Sequence, residues 1–327
     1  MFTKDNLPAS IRIFSYSILA LTLVFLINNV LTVWLDWPGI KKLFSQFGLF
    51  GFRSSGTPLA GLSIILGFIQ LSFYFMSILL AYFYVRKSIN QTLETDAEIL
   101  TKITGYIIRS SFWAVLILGI VDLIISFMVV EKLIEPIFGE AVKFKLVNPS
   151  FRITFIHFPL VLISFVIGYF TRSVGFIWLA VLVVGSEFAI VLSRFIFNYE
   201  QAFQGDLVRF WYAALYLFAS AYALIHEGHV RVDVLYTGFT EKRKAWINSI
   251  GSLVLGIPLC LIIIFLGMGG KASIINGPAL SFEITQQGSN GLYLLYLMAI
   301  YLAVFAVSML IQFTSYFMSS SHKILNN

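Results

Sequence analysis

Long apolar runs, separated by short polar segments, recur along the whole 327-residue chain. Each run approaches the roughly 20 residues that a helix needs to cross the hydrocarbon core of a bilayer. The runs are continuous rather than alternating, and a helix satisfies its own backbone hydrogen bonds in lipid. The pattern predicts an all-α integral membrane protein, a helical bundle of about eight transmembrane helices, at about 13–35, 59–85, 103–130, 151–171, 174–197, 206–226, 246–267 and 290–318.

Two segments of this pattern are less regular. Arg152, His157 and Pro159 stand in the first third of the run at 151–171, so this segment either spans the membrane or lies in its interface. Residues 131–150 place apolar side chains at helical spacing among charged ones. That spacing predicts a short amphipathic helix, which we expect on the periplasmic side.

Composition and charge agree with a location in lipid. Hydrophobic residues make up 59% of the chain and charged residues 12%. The net charge of +6 comes from Lys and Arg scattered over the loops, which favours membrane lipid and not nucleic acid as a partner. The basic loop from Arg231 to Lys244 sets the orientation by the positive-inside rule and predicts a multi-pass protein with both termini cytoplasmic.

Asp122 is an acidic residue inside a predicted span, where a charge is expensive unless it is paired or hydrated. It lies about two turns from the outer end of its helix. We expect this intramembrane acid to hydrogen-bond Ser126, which lies one turn further along the same helix.

Further charged residues lie in the next predicted spans. Glu187 stands mid-span, seven residues before Arg194, so the two share a helix face but are too far apart for direct contact. Asp206 and Arg209 are three residues apart at the start of the following helix, which predicts a local ion pair. We favour structural pairing of these groups over an ion-binding site.

Residues suited to catalysis or metal binding are scarce in this sequence. It holds no Gly-rich phosphate loop, nucleophile elbow or His-Glu-x-x-His pattern. His157 and His226 are predicted near opposite membrane faces, and the lone Cys260 lies inside an apolar run. We therefore expect no catalytic residue, no metal site, no cofactor and no enzyme activity.

A self-contained carrier usually has inverted repeats with helices broken at matching positions in its two halves. Pro159 falls in the fourth predicted span and Pro258 in the seventh. These positions do not correspond if each half contains four spans. The sequence therefore gives little support for a substrate pathway within this chain.

The loop after the sixth predicted span carries the most informative motif. The helix is expected to end at a glycine, after which apolar and charged residues alternate. This arrangement resembles the small membrane (permease) subunit of the tripartite ATP-independent periplasmic (TRAP) transporters, the DctQ-like proteins, in which such a stretch joins the second and third of four helices. The motif comprises Gly228, His229, Val230, Arg231, Val232 and Asp233.

Other residues extend the resemblance beyond this motif. The stretch Ser193–Asn198 is similar to the end of the family's first helix. Phe203 and Asp206 stand where the family usually has Trp and a Glu-Leu pair, a departure that keeps an aromatic residue and a carboxylate. Glu283 and Gln312 stand at positions similar to those of longer family members.

The resemblance covers about 174–318 and predicts a long variant of the subunit with two regions. Residues 1–150 are predicted to be a membrane extension of about three spans with a periplasmic amphipathic segment. Residues 151–327 are predicted to be the small-permease-like region, in which one further or interfacial helix precedes four core spans.

The resemblance implies a non-catalytic role in a sodium-driven TRAP transporter of the bacterial inner membrane. In such systems a periplasmic solute-binding protein delivers a small organic acid to a large membrane subunit, which the small subunit braces. The alternatives are an autonomous secondary transporter or channel and, with less support, a membrane redox enzyme. Candidates for partner contacts or ion pairs are Glu187, Arg194, Glu200, Asp206, Arg209 and Glu283.

One prediction follows from the loop motif. If Arg231 fixes the cytoplasmic loop of a bracing subunit, Arg231→Ala should lower complex assembly and transport while substrate preference stays the same. Uptake assays with competing substrates measure both quantities. A changed substrate preference would contradict the bracing role.

Overall fold

The computed structural model describes residues 7–51, 58–171, 176–225, 236–284 and 290–326. Within these ranges, eight helices are long and apolar enough to cross a membrane, and no strand occurs. The predicted all-α bundle is therefore confirmed. The helices are α1 (Leu7–Trp34), α2 (Leu62–Lys87), α3 (Leu93–Val130), α4 (Pro149–Phe170), α5 (Phe176–Phe197), α6 (Ala202–Ile225), α7 (Glu241–Gly267) and α8 (Leu295–Asn326).

Two helices extend well beyond their predicted spans. α3 has 38 residues, so it is about 57 Å long, nearly twice the hydrocarbon thickness. Its added N-terminal turns bury Leu93 and Leu100. They also meet the added C-terminal turns of α8, where Ser315 Oγ donates a hydrogen bond to the Ala97 carbonyl at 2.7 Å. Contacts between residues beyond the two apolar runs therefore lengthen both helices.

The irregular segment at 151–171 forms α4, a full candidate span. Asn148 caps its start by accepting a hydrogen bond from the Phe151 N–H at 3.3 Å, and Pro149 occupies the first turn, where its missing N–H costs nothing. A π-helical turn at Ile153–His157 precedes Pro159. This wider turn lets the helix continue past a residue that cannot donate a backbone hydrogen bond.

The predicted amphipathic segment between α3 and α4 is helical but interrupted. It forms two short helices, Ile134–Phe138 and Glu140–Val147, on either side of Gly139. The backbone at Gly139 has φ +87°, a conformation that disfavours any residue with a Cβ, so one continuous helix does not form. The Lys143 ammonium bonds the Glu135 carboxylate at 2.8 Å, which lowers the pKa of this exposed acid.

The chain divides into two compact units built from non-consecutive ranges. Unit 1 comprises Met1–Leu100, Val232–Lys271 and Phe313–Asn327, and unit 2 comprises Thr101–Arg231 and Ala272–Gln312. This division differs from a cut near residue 150. The two regions inferred from sequence resemblance therefore remain a prediction about the sequence, not about compact bodies.

Unit 1 has a buried polar junction at the start of α1. The Arg12 guanidinium is 1% exposed. It donates from Nε to Asp96 Oδ2 at 2.5 Å and from Nη1 to the Ser88 carbonyl at 2.7 Å. The junction ties α1 to the connection between α2 and α3.

Unit 2 has a core rich in aromatic side chains. Trp211 packs into it and donates a hydrogen bond from Nε1 to the Val115 carbonyl at 3.2 Å, which satisfies the indole in an apolar setting. The largest members of the core include Phe112, Phe203, Phe210, Trp211, Phe218, Tyr296 and Tyr301.

A close approach between α7 and α8 inside unit 1 gives a test of this packing. A Cβ on Gly256 would lie 2.5 Å from the Phe313 ring. Gly256→Ala should therefore destabilise the protein by about 1–3 kcal/mol through overpacking. The thermal unfolding midpoint of the full chain in detergent measures this effect.

Gly251→Ala is the matched control on the same helix. A Cβ there meets nothing within 4 Å, and alanine favours a helix over glycine. This variant should unfold at the same temperature as the parent or higher. Equal loss in both variants would contradict the proposed contact with Phe313.

Candidate functional site

The most polar buried feature of unit 2 is a group of five side chains, which we call the charged cluster: Asp122, Arg152, His157, Tyr293 and Tyr296. All five are buried. α3 supplies the acid, α4 supplies the arginine and the histidine, and the start of α8 with the residues before it supplies the tyrosines.

Asp122 accepts hydrogen bonds at both carboxylate oxygens. Oδ1 lies 2.5 Å from Arg152 Nη2 and 2.8 Å from His157 Nε2. Oδ2 accepts from the Tyr293 backbone N–H at 2.8 Å. The carboxylate is therefore neutralised by a cation and fully hydrogen-bonded, which is what makes an acid tolerable inside a membrane bundle.

The predicted bond between Asp122 and Ser126 is wrong. Ser126 instead accepts from Arg152 Nη2 at 2.9 Å and donates to the Gly291 carbonyl at 3.2 Å. The arginine provides both charge and hydrogen bonds, which makes it a stronger partner for the carboxylate than a hydroxyl on the same helix.

The remaining contacts orient the cationic side chains. The Arg152 guanidinium lies 4.4 Å from the centre of the Tyr293 ring, a cation–π contact. His157 turns Nε2 to Asp122, while its Nδ1 lies 3.0 Å from the Tyr296 hydroxyl. With Nε2 donating to the acid, Nδ1 can accept from the tyrosine, so one tautomer satisfies both contacts.

A second acid contributes to the same segment before α8. Asp206, near the start of α6, is 7% exposed and accepts from the Leu292 N–H at 3.1 Å. Asp122 and Asp206 thus accept hydrogen bonds from the consecutive N–H groups of Leu292 and Tyr293. These groups lie just before the N-terminus of α8, where the helix dipole favours negative charge. Arg209 Nη1 lies 3.6 Å from Asp206 Oδ1, the local pair that the spacing predicted.

The other predicted residues do not join this cluster. Arg194 lies 3.4 Å from Glu200 in an exposed ion pair. Glu187 is exposed near the middle of α5, and Glu283 is exposed while its backbone carbonyl accepts from the Tyr296 N–H at 3.0 Å. The motif Gly228–Asp233 lies outside the described residues.

The chemistry of the charged cluster is better suited to holding helices rigidly together than to binding an ion or a substrate. Arg152 already neutralises Asp122, so no free negative charge remains to attract a cation. Over the described residues, no group of three or more His, Cys, Asp or Glu side chains could hold a metal ion. The arrangement fixes α3, α4 and the start of α8 to one another.

Comparison with known families gave one match. Residues 183–318 match the family model described as "Tripartite ATP-independent periplasmic transporters, DctQ component". Residues 183–318, somewhat less than half of the chain, are thus similar to the DctQ component, and we call them the DctQ domain. This confirms the resemblance seen in the loop motif, and the helices before the DctQ domain agree with a long variant. No curated protein and no solved structure matched the chain.

The charged cluster crosses the boundary of the DctQ domain. Tyr293 and Tyr296 belong to the domain, whereas Asp122, Arg152 and His157 come from helices that precede it. The sequence contains a sign of this pairing. Asp122 lies eight residues before the end of α3 and His157 eight residues after the start of α4, so two consecutive spans bring these residues to similar depth.

The charged cluster predicts a large loss of stability when one charge is removed. Asp122→Asn or Arg152→Met alone should destabilise the full chain by about 3–5 kcal/mol, because each leaves a buried group without its partner. The double variant should recover much of this loss. Thermal unfolding midpoints in detergent complete the double-mutant cycle.

Glu135→Gln is the control for loss of a carboxylate. Its partner Lys143 is exposed, so breaking this pair should leave the unfolding midpoint unchanged. Additive losses in the Asp122 and Arg152 double variant would show that the two charges are not coupled.

Proposed function

We propose that this chain is the non-catalytic small permease subunit of a sodium-driven TRAP transporter. In this role it braces the large membrane subunit during uptake of a small organic acid that a periplasmic solute-binding protein delivers. The DctQ domain supports this assignment. The proposed location is the bacterial inner membrane, with both termini in the cytoplasm.

One observation on α5 carries the proposal of a large membrane partner. Glu187 lies exposed near the middle of this span, between the exposed apolar residues Val184 and Phe188. A charged side chain facing lipid at that depth costs about 2.5–3.5 kcal/mol or more. A protein partner that supplies a hydrogen-bond donor or a cation removes this cost, whereas lipid tails do not.

The charged cluster supports bracing over transport. A carrier site needs groups that bind and release an ion or a substrate. In the charged cluster the acid is neutralised by Arg152 at 2.5 Å and also bonded to the backbone before α8. Such a closed arrangement favours a static subunit that keeps its helices in fixed register.

Co-purification tests the proposed partnership. A tagged chain isolated in mild detergent from its native host should recover a much larger multispan protein in near-equal amount. Glu187→Lys should lower this recovery by about tenfold, equivalent to roughly 1.4 kcal/mol. Glu187→Gln should have a smaller effect, since the amide keeps hydrogen-bonding capacity but loses the charge. Quantitative mass spectrometry measures the ratio of the two proteins.

Glu98→Lys is the control for charge reversal. Glu98 is also exposed, but it lies in the N-terminal extension of α3, before the predicted apolar run. This variant should recover the partner like the parent. Isolation of the chain alone, with uptake activity in liposomes, would overturn the proposal in favour of an autonomous carrier.

A further inference from the structure

Unit 1 contains a cavity of about 550 Å³ that the DctQ assignment does not explain. It is bounded by α1, by the short helix Gly39–Gln46 that follows α1, by Tyr74 of α2 and by the turn Met268–Lys271 after α7. All of these elements lie in unit 1.

A buried hydrogen-bond network builds the wall of this cavity. Gln70 of α2, which is fully buried, accepts from the Gly39 N–H at 2.9 Å and donates to Thr32 Oγ1 at 3.1 Å. Gly39 has φ +74°, a conformation that favours glycine, and its backbone packs against the Thr32 side chain. The short helix is therefore held in a defined place beside α1.

Two further contacts fix the turn after α7. The Asn29 amide donates to the Met268 carbonyl at 2.6 Å, and the Lys271 ammonium bonds the Asp36 carboxylate at 2.5 Å. The hydrogen bond from Lys271 lowers the pKa of Asp36, which favours the ionised carboxylate as the partner of this ammonium group.

The mouth of the cavity carries a net positive charge. Lys41 and Lys42 line it, and both are exposed. Within the described ranges neither forms an ion pair, whereas Lys271 is already matched by Asp36. Trp37 lies beside them, a residue type that prefers the level of lipid headgroups. The mouth therefore favours an anion at the membrane surface.

The deeper part of the cavity is mostly apolar and follows one face of α1, where the polar residues Asn28, Asn29 and Thr32 also line it. Phe25, Val33 and Tyr74 line it, and the edge of Phe25 meets the Phe265 ring with centroids 4.7 Å apart. From Val33 to Phe25 the helix descends about 12 Å. A cavity that begins at the level of the lipid headgroups and extends over this distance reaches the hydrocarbon core of the bilayer.

One buried acceptor on this face points to an occupant. Asn28 is 5% exposed and lines the cavity. Its Oδ1 has no hydrogen-bond partner among the described residues. A buried acceptor without a partner costs about 1–3 kcal/mol. An acyl chain brings no donor, so water held between the occupant and Asn28 would relieve this cost.

We propose that this cavity binds an anionic glycerophospholipid, with its phosphate at Lys41 and Lys42 and the first part of an acyl chain along α1 toward Phe25. A positive mouth, an interfacial tryptophan and a mostly apolar depth match the three parts of such a molecule. The site does not depend on the proposed transport function.

Native mass spectrometry of the full chain in detergent tests this site with phosphatidylglycerol as the probe. One tightly held lipid per chain is expected, and phosphatidylcholine, which has no net charge, should bind at least about tenfold more weakly. The double variant Lys41→Gln, Lys42→Gln should lose phosphatidylglycerol affinity by at least about tenfold, because each lysine near a membrane surface contributes roughly 1 kcal/mol, or about fivefold.

Two further variants distinguish lipid binding in the cavity from lipid binding to any basic surface. Lys87→Gln, Lys102→Gln removes the same charge from exposed positions outside the cavity and should bind lipid like the parent. Gly270→Leu keeps all charges but adds bulk to a residue that lines the cavity and has open space beside it. It should lose the tightly held lipid.

Three results would overturn the proposal. Unchanged lipid binding in Gly270→Leu would mean that surface charge alone holds the lipid. Equal loss in the two lysine double variants would mean the same. Competition by glycerol phosphate or inorganic phosphate at the concentration at which phosphatidylglycerol binds would identify a free phosphate site, since neither has an acyl chain.

Discussion

The ion pair between Asp122 and Arg152 is the interaction on which unit 2 depends. Both groups are buried, so neither can be left alone without a large desolvation cost. Helices in lipid gain little from apolar association, because lipid tails are as apolar as their side chains. A pair that is costly to break, together with His157 and the backbone N–H of Tyr293, therefore selects which helices pack and in what register.

This constraint joins the DctQ domain to the helices before it. The side chains of Asp122 and Arg152 precede the domain, whereas Tyr293 and Tyr296 belong to it. The compact units likewise combine early and late parts of the chain. Within unit 2, the part of α3 after Leu100 and α4 thus share one folded core with the start of α8 and are not an appended module.

The sequence predicted the number and type of spans because hydropathy reports directly on burial in lipid. It underestimated α3 and α8, since their extra turns are held by contacts such as Ser315 to Ala97 that no local pattern reveals. It found Asp122 but paired it with Ser126 on the same helix, because periodicity shows neighbours along a helix and not across helices. Arg152 and His157 appeared in the sequence only as polar residues that interrupt an apolar run.

The contrast between two acids carries the functional argument furthest. Asp122 has every oxygen bonded within its own chain, while Glu187 faces outward from the middle of α5. Each carboxylate meets the same low-dielectric cost in a membrane. The fold satisfies one acid with a cation, an imidazole and a backbone amide, yet leaves the other exposed among apolar side chains. This contrast supports the proposal that the second acid finds its partner in another molecule.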